Sequence, residues 1–137
     1  MTKRFATYMT ECEVQMITNL VCDKLDLRHV RIDKISKVEE ETLRCNGVYH
    51  SMQAGCPTIS VINQGHLQLV LHELSHHYQE NKTEFKNNCY DNSVHGATFT
   101  KGINAVTKSM KEIFGKERWP CTPAYIRSSS IKNVAHE

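Results

Sequence analysis

Leu67-Gln68-Leu69-Val70-Leu71-His72-Glu73-Leu74-Ser75-His76-His77-Tyr78 decides how the rest of the chain is read. Its apolar residues recur at helical spacing, and it contains H-E-x-x-H, in which two histidines four apart lie one turn apart on the same helix face. At about 100° per residue, with His72 at the origin, His76 falls near 40° and Glu73 near 100°, while Val70, Leu74, Leu67 and Leu71 centre near 215°. One side of this helix suits a core. The other offers His72, His76 and Glu73 to a cleft, two imidazoles for one metal ion and a carboxylate beside them. His77 is turned about 120° from the pair, which predicts a packed or surface histidine. Glu80, a further turn on, is expected to be a solvent-facing charge.

Outward from that helix, on the C-terminal side, lies His95-Gly96-Ala97-Thr98-Phe99. A helix over about 94–116 would place Phe99, Ile103, Val106, Met110 and Ile113 on one stripe beginning at His95. His95 is thus the third metal-ligand candidate, because a catalytic zinc takes three protein ligands and keeps one position open. Asp91 is a candidate acceptor to orient a ligand imidazole. The metzincin arrangement of a glycine and then a histidine soon after the second ligand is absent, since Gln79 and Lys82 occupy those places.

On the N-terminal side, Cys56-Pro57 introduces Thr58-Ile59-Ser60-Val61-Ile62. These β-branched residues predict a strand, and Pro57, which has no N–H to give a neighbour, suggests a sheet edge to which an extended substrate could pair. Asn46-Gly47 between Leu43-Arg44-Cys45 and Val48-Tyr49-His50 predicts a hairpin. The Glu39-Glu40-Glu41 run reads as a solvated loop, and residues 29–35 as a half-buried strand. Thr10 and Glu13 form a capping box, flanked by Met9 and Val14 as a staple, so a helix should start near Glu11, bury Val14, Ile17, Leu20, Val21 and Leu25, and end near Asp26. The stretch 119–137 is expected to be an irregular strap held by Trp119, Tyr125 and Ile126.

Together these readings give an α+β fold in one domain spanning 1–137, with a small mixed or antiparallel sheet, a scaffold helix, the H-E-x-x-H helix and a second ligand-bearing helix. The 137 residues, 39% of them hydrophobic, suffice for one core without a metal or disulfides, so a metal site here is functional in expectation. Six cysteines are scattered without a C-x-x-C hook, which excludes a zinc ribbon and favours free thiols. No P-loop or G-x-G-x-x-G is present, and the P-C-x-x-C of base deaminases is missing. No signal peptide or span is expected, and the protein is read as cytoplasmic.

H-E-x-x-H followed by H-G-x-x-F resembles the SprT-like zinc metallopeptidases and their compact zincin relatives, over residues 57–114. The resemblance implies a zincin-like minimal catalytic core of bacterial or phage origin, one Zn²⁺ and a protein or peptide substrate. Proline is common after the His-Gly pair in that family, where Ala97 stands here. The implied chemistry has His72, His76 and His95 on zinc and Glu73 as general base. Tyr125, ahead of Arg127, His50 and Tyr49, is the candidate oxyanion donor. A binding module that keeps the zinc site and acts on a protein or DNA partner is the alternative. The net charge is +2, with residues 101–137 carrying 7 basic and 3 acidic side chains, a net of +4. Lys101, Lys108, Lys111, Lys116, Arg118, Arg127 and Lys132 could meet phosphates, although the helical ones point away from His95.

Overall fold

A computed structural model describes residues 9–51, 56–84, 95–115 and 123–127. In chain order these form α1 (Glu11–Lys24), β1 (Arg31–Lys34), α2 (Lys37–Leu43), β2 (Gly47–His50), β3 (Thr58–Val61), α3 (Leu67–Lys82), α4 (Ala97–Phe114) and α5 (Pro123–Arg127). The described residues thus give a mixed α+β architecture with a three-stranded sheet in the order β1-β3-β2.

α1 begins where its capping box places it. The Glu13 amide donates to Thr10 Oγ1 at 3.1 Å and the Thr10 amide donates to Glu13 Oε1 at 3.0 Å, satisfying two helix-end donors reciprocally. Val14, Ile17, Val21 and Cys22 face the core, Leu25 packs at its margin, and Leu20, expected inside, is largely exposed beside Met16.

The sheet departs from expectation in three ways. β3 is its centre, not its edge: β1 pairs with it in parallel, Ile32 opposite Ile59, and β2 antiparallel, Tyr49 opposite Ile59. Ile59, Ser60 and Val61 are all buried, as a strand covered on both faces must be. Pro57 fits because it stands just before the strand and contributes only its carbonyl, which accepts from the Arg31 amide at 3.0 Å. The Glu39-Glu40-Glu41 run lies in α2, not in a loop; Ser36 caps that helix by accepting from the Glu39 amide at 3.0 Å. No hairpin turns at Asn46-Gly47, because α2 consumes Leu43 and the left-handed residue is Arg44, φ 53°, at the helix C-cap. Asn46 is buried and its carbonyl accepts from the Ile62 amide at 3.0 Å, tying the start of β2 to the end of β3. Ile62 itself lies past the strand.

α3 is buried along almost its whole length, enclosed by β2, β3, α1, α4 and α5. α4 carries the stripe expected of it, with Phe99, Ile103, Val106 and Met110 inside, and one position fixes how near it comes to α3. A Cβ on Gly102 would lie 2.4 Å from the Ser75 carbonyl oxygen, so only glycine lets the helices cross at this distance. The strap expected at 119–137 includes a short helix, α5, whose Ile126 is fully buried; Trp119 lies outside the described residues. No helix among the described residues is long and apolar enough to cross a membrane.

Candidate metal centre

α3 delivers His72 and His76 from consecutive turns, and the turn ahead of α4 delivers His95. Their ring centroids form a nearly equilateral triangle, 5.4 Å between His72 and His76, 5.4 Å between His72 and His95 and 5.0 Å between His76 and His95. One nitrogen from each lies within 4.8 Å of the others, so the three can hold one metal ion. Phe99, in the first turn of α4 and fully buried, makes the floor. Its centroid is 5.0 Å from His72, 4.3 Å from His76 in a stack and 4.9 Å from His95.

A ligand imidazole needs one nitrogen with a lone pair and the other fixed as a donor, which sets both tautomer and ring orientation. His72 Nδ1–H donates to the Ile126 carbonyl at 3.0 Å. His76 Nδ1–H donates to Gln79 Oε1 at 3.0 Å, and Gln79 Nε2 passes the chain on to Thr98 Oγ1 at 2.9 Å. Both helix histidines are thereby left with Nε2 as the ligand atom. The inward atoms His76 Nε2, His95 Nε2 and Glu73 Oε1 are shut off from solvent. By the chemistry of its donors this group could hold a metal ion, and His72 and His76 have their outer nitrogens engaged.

Glu73, next to His72 in sequence, is buried and does not belong to the ligand group. Its carboxylate lies against the start of β2, where a Cβ on Gly47 would come within 3.1 Å of Glu73 Oε2. From there β2 runs in step with α3. Gly47 abuts Glu73, Tyr49 Oη donates to His77 Nδ1 at 2.8 Å, and Ser51 bonds Glu80.

His77 is packed, as its angular position predicts. Its Nε2–H donates to the Arg28 carbonyl at 2.9 Å, and burial holds its pKa below the ordinary value, the Arg28 bond opposing. Burial likewise lowers His66, which caps α3 by accepting from the Leu69 amide at 3.4 Å. Glu80 is half-buried, not a freely solvated charge, and burial raises its pKa while the Ser51 bond opposes. Burial first, then Glu80, pushes the Tyr49 phenol up.

Among the oxyanion candidates, Tyr49 is engaged with His77, and His50 pairs with Glu39 of α2 at 3.0 Å. Tyr125 lies on α5 with its ring against the core, and its carbonyl accepts from Gln68 Nε2 at 2.6 Å. Arg127 reaches the ligand-bearing turn, Nη1 donating to the His95 carbonyl at 3.2 Å and Nη2 to Thr100 Oγ1.

Of the basic residues, Lys101, Lys108 and Lys111 are exposed on α4, with Lys101 held by Glu84 at 3.2 Å. Lys116, Arg118 and Lys132 lie outside the described residues, as does Asp91. Cys12, Cys22 and Cys56 are free thiols, and burial pushes Cys22 up to about 12.

The parts that sequence reasoning missed are Gln79, the Ile126 carbonyl and the glycines at 47 and 102. Gln79 stands three residues after His76, a helical neighbour position, and could have been found; nothing local marks the others. Comparison with protein-family models, with curated proteins and with solved structures yields no match.

Proposed function

We propose that this chain is a zinc-dependent metalloendopeptidase of the SprT-like, compact zincin kind. The observation that carries the reading is the meeting of His72, His76 and His95 at ligand distance, with a buried carboxylate, Glu73, on the same helix next to His72. Three imidazoles suit zinc among the divalent metals. Zinc held by His72, His76 and His95 would supply Lewis acidity to a peptide carbonyl and to water.

The protein's own residues supply the rest. Ile126 and Gln79 keep the two helix imidazoles in the tautomer that presents Nε2. Glu73 takes the proton of the attacking water and returns it to the leaving amine. An apolar floor at Phe99 keeps solvent from beneath the ligands. With β3 at the sheet centre, β1 and β2 are its edges, and β2, which begins against Glu73, is the one best placed to pair with an extended peptide.

A second reading is favoured by burial: His72, Glu73 and His76 are each at most 5% exposed, which also suits a closed zinc centre in a module that acts by binding a protein partner. Glu73→Gln separates the two. If the peptidase reading holds, wild type and variant each take up one zinc per chain, and the variant's cleavage of an unstructured protein such as casein falls about 10²–10⁴-fold. Zinc-loaded wild type that cleaves nothing favours the binding module. A variant that cleaves like wild type removes Glu73 as the base.

A further inference from the structure

We propose that α5 is a working part of the metal centre: it positions His72 through the Ile126 carbonyl and His95 through Arg127, so that metal affinity and docking of this segment are coupled. The proposal rests on His72, His76 and His95 being metal ligands, and extends that reading to a stretch with no metal-ligating side chain of its own.

The three ligands are supported from different places. His76 takes its orientation from Gln79, within its own helix. His72 takes its own from residue 126, 54 positions away in sequence. His95 precedes α4, and its carbonyl receives Arg127.

The α5 contacts are built to hold position. The Ile126 side chain is fully buried, which fixes the backbone that carries the accepting carbonyl, and Gln68 grips the neighbouring carbonyl of Tyr125 at 2.6 Å. Arg127 spreads its planar fork over two acceptors of the ligand-bearing segment, the His95 carbonyl and Thr100 Oγ1. Its Cζ also sits 5.6 Å from the centroid of Phe99, the ring on which all three imidazoles rest, within cation–π range. A lysine has one donor head in place of this fork and cannot reproduce both contacts in one plane.

If α5 holds the imidazoles in their ligating pose, its release weakens metal binding. By reciprocity the metal strengthens the docking of α5 by the same factor. Removing a group that orients a ligand typically costs about 10- to 100-fold in metal affinity. The exposed setting of Arg127 places its share at the lower end, about tenfold.

The test uses the full chain and zinc alone. Zinc affinity is measured by competition with a chromogenic chelator for wild type, Arg127→Ala, Arg127→Lys and Thr100→Val. Hydrogen exchange of a peptide covering 123–127 is followed in the wild type with and without zinc, so that one arm needs no variant. The expected result is about tenfold weaker zinc binding in Arg127→Ala, a smaller loss in Arg127→Lys and Thr100→Val, unchanged apo-protein melting, and slower exchange in 123–127 with zinc. Wild-type affinity in Arg127→Ala, or exchange in 123–127 that zinc leaves unchanged, overturns the proposal while the ligand set stands. Wild type that takes up no stoichiometric zinc overturns the three-histidine reading and this proposal with it. Loss of peptidase activity alone touches neither, because both readouts are of metal binding.

Discussion

Replacing Gly102 by alanine adds one methyl group at the point where α4 crosses α3. The new Cβ would stand 2.4 Å from the Ser75 carbonyl oxygen and 3.2 Å from its carbon, both backbone atoms. No side chain can swing aside, so the helices must separate by about 0.6 Å before the contact reaches even the 3.0 Å limit. Ser75 is the residue before His76, and Gly102 lies seven residues past His95, so that separation acts on the candidate metal ligands themselves. Metal–ligand distances tolerate about 0.2 Å, a third of the required displacement. Overpacking of this kind costs about 1–3 kcal/mol, offset by about 0.5–1 kcal/mol because alanine is the better helix former. We expect Gly102→Ala to melt about 2–8 °C lower in the presence of a chelator and to bind zinc about tenfold or more weakly. Asn104→Ala, on the exposed side of the same helix, should change stability by less than about 0.5 kcal/mol. If Gly102→Ala melts no lower than wild type and retains its zinc affinity, the close crossing is not what sets the ligand geometry.

Three further outcomes follow from the same contacts. Gln79→Ala removes the acceptor for His76 Nδ1–H and should weaken zinc binding about 10-fold, while Gln79→Glu, a stronger acceptor, should bind at least as tightly as wild type; chelator competition measures both. Gly47→Ala places a Cβ 3.1 Å from Glu73 Oε2 and 3.1 Å from Val61 Cγ1, so kcat for casein cleavage should fall about tenfold or more while zinc stoichiometry stays at one. Burial holds His66 and His77 below their ordinary value of 6.5 in the folded chain, so as pH falls through that value the unfolded chain takes up protons first and stability is lost. The slope is at most about 1.4 kcal/mol per pH unit for each, it appears below about pH 6.5 in urea unfolding of metal-free protein, and His77→Gln should flatten it.

The parts of the fold that could be read in advance are those whose determinants are local. α1 announces itself through Thr10 and Glu13, and the pairing of His72 with His76 follows from helix pitch alone. α4 shows its buried stripe from Phe99 to Met110, although it begins at Ala97, later than expected, and leaves His95 in the turn before it. α2 is equally local: Ser36-Lys37-Val38-Glu39 has the S-x-x-E spacing of a helix start, hidden by the acidic run behind it. β3 illustrates a different difficulty. Pro57 suits an edge strand and a strand start alike, and only the burial of Ser60 between Ile59 and Val61 shows that both faces are covered. The contacts that orient His72 and anchor Tyr125 join residues 54 and 57 positions apart. They are made by backbone carbonyls, which every residue possesses, so no residue type signals them.

The bond from His72 to residue 126 also sets an order in time. A polypeptide is made from its N-terminus, so the H-E-x-x-H helix exists well before the carbonyl that steadies its first histidine. His95 arrives between the two. A growing chain therefore carries all three histidines before it has the carbonyl that receives His72, and that contact closes only when α5 has been synthesised and has buried Ile126.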